Sequence, residues 1–358
     1  MSKVFAFPMA PANYTLDIIK NVYEPKGIKY AFIHGTSEAS DKGCMDALVM
    51  EQLGGWRQRI WKTWRILKEN DIFIVNSYTD KISQMIILMN ILLFKKSMGI
   101  SSDTQLRIPS GMVAKWIKRA WLGYLFTRKC IFGLPGGTKA HVSLFSHYGM
   151  DLARITFLPM MVDNTRYRRE NIPEPGITFR FVYVGRLVTC KNVAGIVEAF
   201  GLLCRRLKNV ELHIIGDGGE RDRLMHCSGN MKVVFHGRLY GSSLVASLHT
   251  MHCLVLFSSF ESWGLVVNEA LASGIPCVVS DQVGARFDLI ESEPETGFVV
   301  KSNDVSMLAE AMTKIATDKN LWRRYSNNAI SRMKNWDYEK YCEQLDAFIA
   351  RAGERFAC

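Results

Sequence analysis

Short apolar runs recur along this chain, each followed by a turn and then by a longer segment whose apolar residues fall at helical spacing. Runs at 4–7, 30–33, 71–75, 98–103 and 155–158 lie in the first half. Runs at 178–184, 210–215, 233–237, 253–257, 277–280 and 296–300 lie in the second. The run at 253–257 is apolar throughout and reads as a strand buried on both faces. Helical segments are expected at 14–22, 38–70, 79–94, 112–129, 193–207 and from 305 to the end; the one at 38–70 is rich in Trp and basic residues. Strands alternating with helices specify an α/β chain built on parallel, doubly wound sheets. A site on such a sheet lies at the carboxyl ends of the strands.

At 358 residues the chain suits two such sheets, each with its own core. A polar, proline-bearing stretch at 164–177 reads as the linker. The start of the chain carries no secretory signal pattern, and the longest apolar run, 85–94, is too short to span a bilayer. Nine cysteines, scattered without paired spacing, argue for reduced thiols in a cytoplasmic setting and against a disulfide framework or a zinc site. The net charge of +11 implies negatively charged partners: nucleotide diphosphates, anionic lipid or nucleic acid. No nucleic-acid motif accompanies the charge, so nucleic acid is not expected.

The most informative stretch follows the run at 253–257 and reads Ser258-Ser259-Phe260-Glu261-Ser262-Trp263-Gly264-Leu265-Val266-Val267-Asn268-Glu269-Ala270-Leu271-Ala272-Ser273-Gly274-Ile275-Pro276. A loop here feeds a helix with Val266, Glu269 and Ala270 at helical spacing. The backbone N–H groups of Gly264 and Leu265 then point outward at the helix N-terminus, where the dipole favours an anion. Gly264 removes the Cβ that would block close approach. Glu261 and Glu269, eight residues apart, supply carboxylates that accept hydrogen bonds from hydroxyls. Phosphate held between two such carboxylates suits a nucleotide sugar. Two glutamates at this spacing also occur by chance in a buried strand–loop–helix unit, so the weight rests on the whole stretch.

The run at 178–184 ends in Gly185-Arg186-Leu187, with Lys191-Asn192 before the next helix. Arg186 is a planar fork and Lys191 a point charge, and both suit a diphosphate. Cations at a helix start are unfavourable unless an anion is bound. Gly216-Asp217-Gly218-Gly219-Glu220 has the look of a phosphate-cradling loop, a weak signal by itself.

Glu-x7-Glu with Trp-Gly-Leu inside it, Ala-Ser-Gly-Ile-Pro-Cys-Val-Val-Ser after it and Gly-Arg-Leu…Lys-Asn upstream closely resemble the retaining glycosyltransferases of the glycosyl transferases group 1 family, family 4 type. The resemblance is strong over 180–300, partial over 136–164, and a matter of strand–helix rhythm over 1–135. It implies the GT-B fold, two Rossmann-like doubly wound domains facing across a cleft. Residues 1–165 would bind the acceptor, 166–336 the nucleotide sugar, and a final helix at 337–355 would pack back on the first domain. It implies transfer of a sugar from a UDP- or GDP-sugar to a hydroxyl of a glycan or lipid-linked oligosaccharide, with retention at the anomeric carbon, in polysaccharide assembly of bacterial type. Glu269 would hold the ribose hydroxyls and Glu261 those of the donor sugar. Arg186, Lys191 and the N–H groups of Gly264 and Leu265 would stabilise the diphosphate. Arg238 lies where relatives meet the nucleobase, and Gly185, Ser262 and Trp263 fall among the donor-binding positions. The family's Ile-Gly-Asp-Gly element is a packing turn, and Gly216-Asp217-Gly218 matches it. No metal or other cofactor is expected, because Arg, Lys and a helix end meet the phosphates.

The first half departs from the family. Ser102 stands where many relatives carry a His, while Asp103 is kept. Asp103 is therefore a candidate beside the donor sugar, with capping of the next segment as the alternative. The loop at 8–13 has none of the glycines relatives place there. Gly136-Gly137-Thr138 reads as a strand-to-helix turn, or as N–H groups aimed at acceptor or phosphate. Along 112–129, Lys115, Lys118 and Arg119 interleave with Trp116 and Trp121. Such a helix either lies on an anionic membrane surface or buries its aromatics in an ordinary core. The implied place is cytoplasmic, with the inner face of the plasma membrane as a candidate surface. Two rivals stand against the enzyme: a related sugar-phosphate synthase or phosphorylase-type protein, and a catalytically inactive GT-B-fold binding protein at a membrane surface.

Overall fold

The computed structural model describes residues 2–35, 47–169, 171, 172 and 174–354. The segment 38–46, part of an expected helix, lies outside them. The chain divides into two compact units, Met1–Met160 with Tyr338–Cys358, and Met161–Asp337.

The first unit runs β1 (Val4–Phe7), α1 (Asn13–Ile18), β2 (Lys29–Tyr30), α2 (Trp56–Glu69), β3 (Ile72–Val75), α3 (Lys81–Met89), β4 (Ser97–Ser102), α4 (Met112–Phe126), β5 (Ile131–Pro135) and α5 (Lys139–His147). The second runs α6 (Asn164–Tyr167), β6 (Phe179–Val184), α7 (Val193–Arg206), β7 (Val210–Ile215), α8 (Arg221–Ser228), β8 (Val233–Gly237), α9 (Gly241–Leu248), β9 (Cys253–Leu256), α10 (Leu265–Ala272), β10 (Cys277–Ser280), β11 (Gly297–Val300), α11 (Val305–Thr317) and α12 (Lys319–Lys334). The last helix, α13 (Tyr338–Glu354), belongs to the first unit. There Ser97 Oγ donates to the Ala352 carbonyl at 2.9 Å, and Phe348 packs edge-on to Phe132 at 5.7 Å.

All strand pairs are parallel. The sheet orders are β2-β1-β3-β4-β5 and β11-β10-β9-β6-β7-β8. Helices cover both faces of such sheets, which is why β3, β9 and β10 are buried along their whole length. Each fully buried Val, Leu, Ile or Phe in them contributes roughly 1.5–3 kcal/mol. Several helix starts are fixed by side chains. Asp80 Oδ1 accepts from the Ile82 and Ser83 N–H groups at 3.0 Å, and Asp304 and Asp318 cap α11 and α12 in the same way.

Four expectations change. Residues 155–158 form no strand: the N–H groups of Thr156, Leu158 and Met160 donate to Gly133, Pro135 and Gly136, each at 2.9 Å. Proline has no N–H to return, so only the single bridge Gly133↔Ile155 forms. The strand at 30–33 shrinks to Lys29–Tyr30, with Phe32 bridging to Val49. The helix expected to run to residue 70 starts only at Trp56, after Gly54-Gly55, where Gly55 has φ 106°. The linker at 164–177 opens with α6, whose start is capped by Asp163 Oδ1 accepting from the Thr165 N–H at 3.0 Å.

Candidate active site

In the second sheet the chain builds outward from β6 through β7 to β8, then returns to β6's other side with β9. The loops after β6 and β9 therefore diverge at the topological switch point, where open α/β sheets bind ligands. They carry Gly185 to Lys191 and Ser258 to Gly264.

The two loops are tied together by Ser259, whose N–H and Oγ both donate to the Cys190 carbonyl, at 2.9 and 3.1 Å. That tie sets the Lys191 ammonium against the Glu261 carboxylate in a close ion pair, with side chains 14% and 17% exposed. Glu261 is held from a third loop: its N–H donates to the Gln282 carbonyl and its carbonyl accepts from the Gly284 N–H, both at 3.1 Å. Next along the chain, Gly264 has φ 97°, a left-handed conformation open to glycine. A Cβ there would also lie 3.2 Å from Leu256 and 3.3 Å from Glu261. Gly264 starts α10 with no side-chain cap, so the first-turn N–H groups of Leu265 and Val266 lack helical acceptors.

Glu269 follows one turn into α10. The Tyr167 hydroxyl donates to its Oε1 at 3.0 Å. Burial pushes the Glu269 carboxyl up to about 7, against the smaller lowering by Tyr167 and Arg166. Tyr167 is placed by its own carbonyl, which accepts from Ser273 Oγ at 3.0 Å. Arg169 clamps the same segment by donating to the Ser273 and His249 carbonyls at 2.8 and 2.7 Å, and burial lowers its pKa to about 10.

Arg186 is exposed, and its guanidinium makes no hydrogen bond or ion pair among the described residues. Its backbone is fixed: the buried Tyr183 hydroxyl donates to the Arg186 carbonyl at 2.8 Å, and a Cβ on Gly185 would lie 2.8 Å from that hydroxyl. Gly216 and Gly218 serve this loop by contact. A Cβ on the first would sit 1.8 Å from the Gly185 carbonyl oxygen, and one on the second 2.4 Å from that of Leu187. The glycine-rich turn after β7 is thus a packing surface under the Arg186 loop. Arg238, exposed after β8, lies 4.0 Å from Asp217.

Residues 166–332 match the family model for glycosyl transferases group 1. The match takes in most of the second unit, which is thus similar to the glycosyl transferases group 1. The chain is 31% identical over 219 residues to a glycogen synthase of Mycobacterium tuberculosis, covering 58% of this chain and 51% of that one. It is 33% identical over 190 residues to a D-inositol 3-phosphate glycosyltransferase of Paenarthrobacter aurescens, covering 49% and 46%. The chain thus spans about half the length of these curated relatives. In fold it is similar across both units to Anabaena Alr3699/HepE, solved with UDP: TM-score 0.78, 16% identity, 98% of this chain and 100% of that one. A sucrose-phosphate synthase from Thermosynechococcus elongatus is similar with TM-score 0.75 at 15% identity, over 99% and 100%. The fold is that of the GT-B glycosyltransferases.

In this second unit the structure brings Glu261, Lys191, Gly264 and Leu265 together at the switch point, with Gly185 and Arg186 on the adjoining loop and Ser262 half-buried between Glu261 and Trp263. Trp263 departs from expectation. Its ring is 1% exposed, donates Nε1–H to Asn268 Oδ1 at 2.8 Å and stacks on Trp336 at 5.8 Å. It packs the loop from beneath and offers no face to a ligand. Tyr167 and Tyr183 were missed. Tyr183 carried a signal, a phenol in an apolar strand next to Gly185. Tyr167 carried none, because it meets Glu269 across 102 residues.

The first unit carries its own candidates. Asp103 is exposed past the end of β4. Burial raises the Tyr14 and Tyr78 phenols, and the Asp103 charge adds to both. The turn there is capped by Ser102, whose Oγ accepts from the Thr104 N–H at 3.1 Å, so Asp103 is not the cap. The Gly136 N–H donates to the Ser102 carbonyl at 3.0 Å and is not aimed at a ligand. On α4, Lys115, Trp116 and Arg119 are exposed. Lys118 instead donates to the Arg107 carbonyl at 2.6 Å, and burial lowers its pKa. Half-buried Trp121 donates Nε1–H to the Tyr78 carbonyl at 3.4 Å, which corrects its assignment to the surface.

Proposed function

We propose that the chain is a retaining glycosyltransferase that moves a sugar from a UDP- or GDP-sugar to a hydroxyl of a glycan or lipid-linked acceptor. The observation that carries the reading is the convergence, at one switch point, of the Lys191–Glu261 pair, the uncapped start of α10 and the Arg186 loop. A diphosphate seated on the Gly264 and Leu265 N–H groups meets the helix dipole and both cations. It shares Lys191 with Glu261, which leaves that carboxylate beside the sugar hydroxyls it would accept from. Glu269, ionised and steadied by Tyr167, accepts from the ribose hydroxyls. Anabaena Alr3699/HepE, solved with UDP and glucose, supports this class of donor.

In the reaction the bond from the anomeric carbon to the diphosphate oxygen breaks, and a bond from that carbon to the acceptor oxygen forms on the same face. The acceptor proton passes to the leaving diphosphate oxygen. Arg186, Lys191 and the helix start stabilise the charge that develops there, and losing one such donor costs roughly 10²–10³ in rate. This neutralisation needs no metal. Exposed Met112, Val113, Trp116 and Ile117 on α4, with Lys115 and Arg119, support contact with an anionic membrane surface. Among the described residues no helix is long and apolar enough to cross a membrane.

Donor hydrolysis without acceptor tests the proposal. Release of nucleotide diphosphate from one donor, lost in Arg186→Ala and Lys191→Ala, is the expected result. Nucleotide binding with no turnover of any UDP- or GDP-sugar would favour the inactive binding protein.

A further inference from the structure

From the first unit we infer that α2, together with the π-helical segment Asn90–Phe94 that continues α3, is a docking surface for an anionic lipid bilayer, separate from α4. Trp56, Ile60 and Trp64 recur every fourth residue and so form one stripe of the helix. All three are exposed, and neighbouring Trp61 is 59% exposed. The stripe that holds the helix to its unit is a different one, Thr63, Ile66 and Leu67, all buried. The helix therefore carries two apolar faces, and among the described residues the fold uses one.

Cations surround the free face. Arg57, Arg59, Lys62, Arg65 and Lys68 face a single acid, Glu69, within the helix. Arg59 lies over the Trp56 ring at 5.3 Å, Arg65 over Trp61 at 5.8 Å and Lys68 over Trp64 at 5.1 Å. The π-helical segment and the residues just after it are pinned to the end of α2. Lys96 Nζ donates to the carbonyls of Leu67, Lys68 and Asn70 at 2.8, 3.1 and 2.5 Å, and Phe94 stands edge-on to Trp64 at 6.4 Å. Leu92 and Leu93, 63% and 65% exposed, directly precede Phe94 in this segment.

Charge complementarity selects the occupant. Five cations against one acid, with a cation over each of three indoles, complement an extended anionic surface. Rings at an apolar–polar boundary, with cations reaching lipid phosphates and leucines reaching the acyl boundary, suit the headgroup level of a bilayer. The inference rests on exposure and charge alone and stands independently of the donor chemistry.

Flotation of the full chain with phosphatidylcholine vesicles, with and without phosphatidylglycerol, tests it. Binding to the phosphatidylglycerol vesicles should fall with salt. It should weaken about tenfold or more in Trp61→Ser/Trp64→Ser and in Leu92→Ser/Leu93→Ser. Their melting temperatures and donor hydrolysis should be unchanged, because these side chains are outside the core. Unchanged flotation in both pairs would overturn the inference. So would equal binding to pure phosphatidylcholine, loss of flotation only in the α4 pair Trp116→Ser/Ile117→Ser, or a change in self-association in place of lipid binding.

Discussion

At the carboxyl edge of the six-stranded sheet the loops present Arg186 and Lys191 next to the loop that leads into an uncapped helix start, with Arg238 further along the edge after β8. At the same edge of the five-stranded sheet they present acids and hydroxyls: exposed Asp103, the Tyr14 and Tyr78 phenols, and His34 with ring nitrogens 3.2 Å from Glu51 and 3.8 Å from Asp80. Both edges come from the same alternation of strand, loop and helix. Only the first sets cations beside an uncapped helix start. Anion recognition needs a few residue types at fixed backbone positions, and that edge is locked by glycine contacts and carbonyl ties. Groups that meet hydroxyls are common everywhere and need no such lock.

The sharpest way to break this contrast is through its glycines. Gly216→Ala should cost about 2–4 kcal/mol and displace the Arg186 loop, since its Cβ would sit 1.8 Å from a carbonyl oxygen. Gly111→Ala in the first unit, where nothing lies within 4 Å, should stay within about 0.5 kcal/mol. Urea unfolding of both variants checks the pair, and similar losses would end the argument from packing. Next in size, Arg186→Ala and Lys191→Ala should each slow transfer roughly 10²–10³-fold, while Asp103→Asn should cost less than about tenfold; kcat for the three variants decides it.

Smaller effects follow from protons. Folding holds the Glu269 carboxyl near 7 against an ordinary 4.5. The folded chain keeps this proton where the unfolded chain has lost it, so stability declines as pH rises from 4.5 to about 7 and levels off above. Glu269→Gln should flatten that decline in a melting series. Nucleotide affinity, needing the carboxylate, should rise over the same window. Tyr167→Phe removes a bond that lowers this pKa, so the affinity midpoint should move upward and binding at pH 7 weaken about three- to tenfold.

Smallest is the pair His213 and His236, whose ring nitrogens meet at 2.9 Å on β7 and β8. Burial lowers both pKa values. Unfolded imidazoles take up protons first as pH falls below 6.5, so stability present above that pH is lost through the folded values. His236→Gln should shrink the loss, read as melting temperature against pH.

The fold was legible where chemistry is local. Runs such as 72–75 and 253–256 announced buried parallel strands because no polar residue interrupts them. The start of α10 at Gly264 was legible because a glycine between a strand-end loop and a helical pattern marks it locally. What escaped depends on distant partners. Trp263 looked like a ligand face until Asn268 and Trp336 enclosed it. Tyr167 was linker until Glu269 received its hydroxyl. The segment at 155–158 had strand composition, but Pro135 could not return its hydrogen bonds.

The switch point of the second sheet is proposed to hold a nucleoside diphosphate. Calorimetric titration of UDP and GDP into the full chain, Arg186→Ala and Glu269→Gln tests it most directly. One nucleotide should bind at a single site and stabilise the fold by about 2.7 kcal/mol at a hundredfold excess over Kd, with both variants at least about tenfold weaker. Equal affinity in the wild type and both variants, or no binding of either nucleotide, would contradict it.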